Sequence, residues 1–278
     1  MRDINSMVKP GGAGQTHPWS RYVALGDSFT EGIGDPEQQS PGGHRGWADR
    51  VAEELSRGHS DFAYANLAIR GRLLQQIVDE QIGPCLELKP DLVSISAGGN
   101  DLLRPGGDPD VLADKLDAAV QELSSGGATM VLFNGPDVAS SVLGRIRGRV
   151  AIYNENLRTV AGRHDAVVAD MWSLRQLSDP QMWDEDRLHL SPLGHHTVAA
   201  MVLESLNVAH TLEPRSPKPL PPRSWREARS EDLVWAREYF VPWVIRRLRH
   251  RSSGDGISPK RPTPGPVFGT ADASLPRT

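Results

Sequence analysis

The feature that most constrains this chain is a repeated alternation of two kinds of segment. Short apolar, partly β-branched runs recur at RYVALG (21–26), FAYANLA (62–68), DLVSISAGG (91–99), TMVLFNG (129–135) and AVVAD (166–170). Helix-like stretches lie between them, among them WADRVAEELSR (47–57), PDVLADKLDAAVQELSS (109–125) and RVAIYNENLRTVAGR (149–163). The runs do not alternate strictly between apolar and polar residues, so they are not built to leave one face in water. Strands apolar on both faces, joined by amphipathic helices, predict a doubly wound α/β domain around a parallel sheet of about five strands. In such a fold a ligand sits outside the carboxyl ends of the strands, which is where functional residues are to be sought.

The alternation ends before TLEPRSPKPLPPRS (211–224), a proline-rich stretch that cannot continue a helix. The expected organisation is a flexible leader over 1–20, a catalytic domain over 21–210, a linker over 211–224, a tryptophan-rich helical extension over 225–251 and a disordered tail over 252–278. The extension carries Trp225, Leu233, Trp235, Phe240 and Trp243 and is interrupted at Pro242. Residues 223–262 hold ten Lys and Arg against five Asp and Glu, a net +5 that leaves −9 for the rest of the chain. Basic charge is therefore local and is not the footprint of a nucleic-acid-binding domain. The basic end RRLRHR (246–251) is a candidate contact for an anionic membrane surface or a protein partner, weighed against a solvated helix end. The single cysteine, Cys85, excludes an intrachain disulfide. No run approaches membrane-spanning length and the first residues lack a secretory apolar core, so the default expectation is a cytoplasmic protein with no integral membrane segment.

The first three apolar runs each end in a short polar segment: GDSFTEG, NLAIRGR and AGGNDLL. A sheet of the kind expected brings all three to one rim. Ser28 in the first could be a turn former or a helix cap, and becomes a candidate nucleophile only with partners. Among nine histidines, His189 in WDEDRLHLSPLGHH follows Asp186 by three residues. That spacing lets a carboxylate reach Nδ1–H and leave Nε2 free to accept a serine proton. Asp184 is the competing carboxylate. For a developing oxyanion the candidate donors are the backbone N–H groups of Ser28 and Gly71 and the side-chain amide of Asn100. The pair His195–His196 invites a metal reading, but neither the H-x-x-x-H spacing nor a cysteine cluster accompanies it. The glycines of GDSFTEGIGD fit neither phosphate-binding pattern, G-x-x-x-x-G-K-[ST] or G-x-G-x-x-G.

The blocks GDS with Ser28, NLAIRG with Gly71, GGND with Asn100 and DRLH with Asp186 and His189 occur in this order, and together they resemble the SGNH hydrolases, the GDSL-type esterases and lipases. The resemblance spans residues 23–189, with Phe29 where the family name has leucine. It implies a flavodoxin-like three-layer α/β/α sandwich and a Ser-His-Asp esterase that uses neither metal nor cofactor. Ser28, Asp186 and His189 would be its catalytic residues, and Ser28, Gly71 and Asn100 its oxyanion hole. The substrate class is a small-molecule ester with a small or medium acyl group: an acetyl ester, a lipid or a secondary metabolite. Two rivals are an acyltransferase working through the same acyl-serine and a non-catalytic interaction protein using the fold as a scaffold. Trp47 is a candidate pocket wall. The tryptophan-rich extension lies outside the resemblance and is expected to pack on the domain as a lid or brace.

Overall fold

The computed structural model describes residues 17–139, 141, 143–219, 229, 234–240 and 252–267. Five parallel strands follow the expected runs: β1 (Arg21–Gly26), β2 (Ala63–Asn66), β3 (Leu92–Ser96), β4 (Thr129–Phe133) and β5 (Val167–Ala169). A sixth, β6 (Arg261–Gly265), gives the sheet the order β5-β4-β3-β1-β2-β6. Register is set by pairs such as Val23 with Ala65 on one side of β1 and Val23 with Val93 on the other. The chain runs from β1 outward to β2 and then returns across β1 to β3, so the direction of winding reverses between β1 and β3. The loops that leave those two strands flank a natural ligand crevice.

Two apolar layers enclose the sheet. On one face Val23, Leu25, Val93, Ile95 and Leu132 pack under α6 (Pro109–Ser124), α7 (Arg147–Arg163) and the short helices α3 (Leu74–Ile77) and α4 (Gly83–Glu87). On the other, Tyr22, Ala24, Val131 and Phe133 meet α2 (Gly46–Leu55) and α8 (Pro192–Ser205). Alternate residues of each strand serve opposite cores, which is why the runs read as continuously apolar. Caps written into the sequence start the helices: the Asp108 side chain accepts from the N–H groups of Asp110 and Val111, and the Ser191 hydroxyl accepts from Gly194 N–H, each followed by proline at the first helical position.

The ends of the chain depart from expectation. Residues 252–267, expected to be a disordered tail, run along the domain, and β6 pairs antiparallel with β2. The reason is charge pairing that no apolar pattern announces. Lys260 buries its ammonium, donating to Asp49 Oδ2 at 2.5 Å and to the carbonyl of His44 at 2.9 Å. Within the stretch expected to be a flexible leader, Trp19 is buried and its indole N–H donates to Thr129 Oγ1 at 2.9 Å. The proline-rich stretch is held to the domain as far as residue 219: Thr211 N–H donates to Glu54 Oε2 at 2.8 Å and Gln181 Nε2 to the carbonyl of Lys218 at 2.7 Å. Of the extension over 225–251, Arg229 and residues 234–240 are described and helical, with a π-turn at Ala236–Phe240. Trp225, Leu233, Trp243 and the RRLRHR end lie outside the described residues. No helix among the described residues is long and apolar enough to cross a membrane.

Candidate active site

Ser28 owes its position to the two residues before it. Gly26 ends β1 so closely packed that a Cβ there would lie 2.6 Å from Thr30 Oγ1 and 2.7 Å from the Ser96 carbonyl, at a φ of +149° that favours glycine. Asp27 then caps the one-turn helix α1 (Ser28–Glu31), its Oδ1 accepting from Phe29 N–H at 3.1 Å. Ser28 is the first helical residue, where a backbone N–H has no acceptor within the helix. Buried Glu31 closes the turn onto the next loop, accepting from Arg70 N–H at 2.7 Å and from Arg70 Nε at 2.9 Å.

His189 arrives from the far end of the domain. A bridge between Trp183 and Leu190 and a bond from Asp184 N–H to the His189 carbonyl at 2.8 Å fold residues 183–190 into a tight hairpin. At its tip Arg187 has φ +57°, a left-handed conformation uncommon for a residue with a side chain. Asp186 Oδ1 accepts from the N–H groups of Leu188 and His189, both at 2.9 Å, and Oδ2 lies 2.5 Å from His189 Nδ1. His189 Nε2 lies 3.0 Å from Ser28 Oγ. Burial would raise the Asp186 carboxyl, but the hydrogen bond and charge of His189 outweigh it and hold Asp186 below the ordinary carboxylate range. Of the two carboxylates weighed in the sequence, the structure brings Asp186 to the imidazole. The Asp184 backbone serves the hairpin.

Gly71 and Asn100 close the group. Gly71 has φ +74°, a conformation that favours glycine, and the Ser252 hydroxyl packs over it, 2.5 Å from where a Cβ would lie. Asn100 opens the helix that follows β3, α5 (Gly99–Leu102). Its Nδ2 donates to Asp27 Oδ2 and to the carbonyl of Arg72, both at 3.0 Å. The amide is thereby aimed between the Ser28 and Gly71 loops. Asp101 Oδ2 accepts from Leu74 N–H at 2.9 Å and ties the loops after β2 and β3 together. Asp27 is buried, which pushes its carboxyl up to about 6 despite its bonds.

Ser28, Gly71, Asn100, Asp186 and His189 line a cavity of about 460 Å³. Leu102, Val138, Leu143, Ile146 and Val150 give it aliphatic lining, and Glu238, Tyr239, Ser252 and Ser253 contribute from the C-terminal region. Trp47, expected as a pocket wall, is instead fully buried, its ring 5.4 Å from Phe29 and 4.4 Å from Phe133, and it is these two neighbours, with Tyr153, Trp183 and Tyr239, that line the cavity. His195 is structural: Nδ1 accepts from Trp47 N–H at 3.1 Å, Nε2 lies 3.0 Å from the Ile33 carbonyl, and burial pushes its pKa down to about 4. No group of three His, Cys, Asp or Glu placed to hold a metal ion occurs among the described residues.

Sequence reasoning missed four contributors. Asp27, Glu31 and Arg70 stood inside the polar blocks without a role, although buried charge beside a nucleophile candidate was a usable signal. The contact of Ser252 with Gly71 joins positions far apart in the chain, and no local pattern could announce it.

A search of curated proteins finds no match. Solved structures with the same fold include TesA, at 21% identity and a TM-score of 0.57 over 67% of this chain and 97% of that one. A lipase/acylhydrolase from Enterococcus faecalis aligns at 22% identity and a TM-score of 0.55, covering 71% of this chain and 99% of its own. An acetylxylan esterase from Geobacillus stearothermophilus, Axe2, aligns at 17% identity and a TM-score of 0.56, over 68% and 95%. Residues 24–197, more than half of the chain, match the family described as GDSL-like lipase/acylhydrolase. With the parallel sheet and the ordered loops, that match establishes that the chain belongs to the GDSL-like lipase/acylhydrolase family.

Proposed function

We propose that the protein is a serine esterase that hydrolyses small-molecule esters through an acyl-serine intermediate. The observation that carries this reading is the continuous line from Ser28 Oγ to His189 Nε2 at 3.0 Å and from His189 Nδ1 to Asp186 Oδ2 at 2.5 Å, along the wall of a cavity. Asp186 fixes the tautomer in which Nδ1 carries the proton and Nε2 accepts one. As Ser28 Oγ attacks the ester carbonyl, its proton passes to Nε2. The tetrahedral oxyanion is met by Ser28 N–H, Gly71 N–H and the Asn100 amide. Because Asn100 Nδ2 already donates to Asp27 and Arg72, it serves the oxyanion by sharing or exchanging one of those bonds. The imidazolium returns the proton to the leaving alcohol, and the acyl group stays on Ser28. Water then attacks the acyl-serine, His189 takes its proton, and the acid departs as Ser28 recovers its hydrogen.

The aliphatic lining from Leu102 to Val150 supports an apolar acyl group of moderate length as the natural substrate. The chemistry assigned to these residues needs neither metal nor cofactor. A fluorophosphonate probe, which traps an activated serine, tests the reading: the protein should be labelled stoichiometrically, and Ser28→Ala should be neither labelled nor active on p-nitrophenyl esters. An unlabelled parent, or a Ser28→Ala variant within tenfold of the parent, would remove Ser28 as the nucleophile.

A further inference from the structure

Residues 235–239 and 252–254 touch the two halves of the candidate machinery, and both stretches lie beyond the family match, which ends at residue 197. On the acid–base side the first grips the hairpin tip at three successive residues. Tyr239 O–H donates to Glu185 Oε2 at 3.0 Å, Trp235 Nε1–H donates to the Asp186 carbonyl at 2.9 Å, and the Arg187 guanidinium lies 5.2 Å above the Trp235 ring. Arg187 is the residue with φ +57°. A turn that holds a non-glycine residue in this region persists only when its surroundings fix it, and here those surroundings include Trp235. The turn in question places the Asp186 carboxylate against His189.

On the oxyanion side, Ser252 Oγ occupies the space a Cβ on Gly71 would need, at 2.5 Å, with Ser253 Oγ 3.2 Å from the same point. Gly254 follows so closely that a Cβ there would lie 2.2 Å from the Arg70 carbonyl. The chain beyond is pinned by buried Lys260 and by β6. Glu238, Tyr239, Ser252 and Ser253 line the same cavity as Ser28 and His189.

Building on the esterase reading, we propose that two described stretches of the C-terminal region, 235–239 and 252–254, are part of the active site: Trp235 is a positioning residue that holds the Asp186–His189 turn in its working geometry, and Ser252 is a wall over the Gly71 loop that limits substrate bulk. Both stretches act through the geometry of groups already in place and add no step to the chemistry.

The test uses the full-length protein with p-nitrophenyl esters, a fluorophosphonate labelling rate and a thermal melt. Trp235→Phe keeps an aromatic ring beside Arg187 and removes the indole N–H donor to the Asp186 carbonyl together with part of the ring. It should lower kcat by about three- to tenfold with KM little changed, slow Ser28 labelling in parallel and leave Tm close to the parent. Trp235→Ala should lower kcat further, and Ser252→Leu should raise KM more for bulky esters than for small ones. If Trp235→Ala does not accumulate, Trp235→Phe decides the matter alone. Parental kcat and labelling rate in Trp235→Phe, whatever its Tm, would overturn the positioning role. A Ser28→Ala variant that keeps turnover would instead remove the esterase reading and the proposal with it.

Discussion

Replacing Lys260 by methionine should show how firmly the C-terminal strand is fastened and by what force. The Lys260 side chain is 2% exposed and that of Asp49 is 5% exposed. Its ammonium donates to Asp49 Oδ2 at 2.5 Å and to the carbonyls of His44 and Arg45 at 2.9 and 3.3 Å. Methionine fills much of the volume of the lysine stem but leaves a buried carboxylate that, among the described residues, keeps Arg261 Nε at 3.8 Å from its Oδ1 as a cationic neighbour, with the charge of Glu53 working against it. Breaking a buried pair in this way costs about 3–5 kcal/mol, roughly 10 °C of Tm for a domain of this size. The penalty should depend on pH. Burial, against the pull of Lys260, pushes the Asp49 carboxyl up to about 6. A carboxyl raised in the fold contributes stability that is present below its unfolded value and lost as pH rises through its folded value. Without Lys260 the folded value climbs further, so the variant goes on losing stability above pH 6, by about 1.4 kcal/mol per pH unit until Asp49 is ionised there too. Melts at pH 5 and pH 8 should show a small deficit at the first and the full deficit at the second. Adding Asp49→Asn to Lys260→Met should recover most of the loss at pH 8, because the buried charge is gone. An equal deficit at both pH values, or a double variant no more stable than Lys260→Met, would refute the electrostatic account of this anchor.

Other outcomes follow from the site. Ser28→Ala should abolish ester turnover with a Tm within about 2 °C of the parent, as a half-buried hydroxyl contributes little packing; paired rate assays and melts check this. Asp186→Asn should lower kcat by up to about 10⁴ through the wrong imidazole tautomer, whereas Asp184→Asn should be mild, and the reverse ranking in steady-state kinetics would reassign the carboxylate. Because His189 holds Asp186 below the ordinary carboxylate range, its pairing contributes stability above the unfolded value and loses it as pH falls through the folded value; Asp186→Asn should therefore lower Tm more at pH 7 than in acid, with the difference shrinking as pH falls. Dialysis against EDTA should leave turnover intact, and activity recovered only with added zinc or manganese would reject a purely side-chain mechanism.

The parallel sheet was legible because its cause is local. Most positions of β1, β3 and β4 are apolar on both faces, the mark of a strand buried between two layers, while a few buried polar residues such as Ser94 and Asn66 interrupt the pattern. The candidate site was legible for a related reason: its members sit at the carboxyl ends of β1, β2 and β3 and in one hairpin, so short polar blocks mark them. Asp186 could be preferred over Asp184 from spacing alone, since three residues let the carboxylate accept from the backbone N–H and face the ring of the same histidine. Trp47 was misjudged because proximity in sequence to Ser28 says nothing about which face of α2 a side chain takes, and its ring packs inward with Phe133. Residues 252–267 were misjudged because Pro, Gly, Ser and Lys read as a solvated tail. Their order comes from Lys260 finding Asp49, a contact made across most of the length of the chain.

That long-range contact also bears on how the site is held. Antiparallel pairing to β2 covers an edge that would otherwise be open, and it fixes the chain that leads back to Gly254, Ser253 and Ser252. The Gly71 turn on which those residues press follows the carboxyl end of β2, where Asn66 pairs with Arg261, and Glu31 clamps its neighbour Arg70 to the helix that begins with Ser28. The edge strand, the oxyanion-side loop and the nucleophile turn thus form one packed series, so loosening Lys260 should be felt at Ser28 as well as in the melting curve. At pH 8 and a temperature where Lys260→Met is still folded, fluorophosphonate labelling of Ser28 should be slower than in the parent, and Asp49→Asn should restore the rate together with the Tm. If labelling stays at the parental rate while Tm falls, the edge strand stabilises the fold without shaping the site, and Ser28 is held by Gly26, the Asp27 cap and the Glu31–Arg70 pair without it.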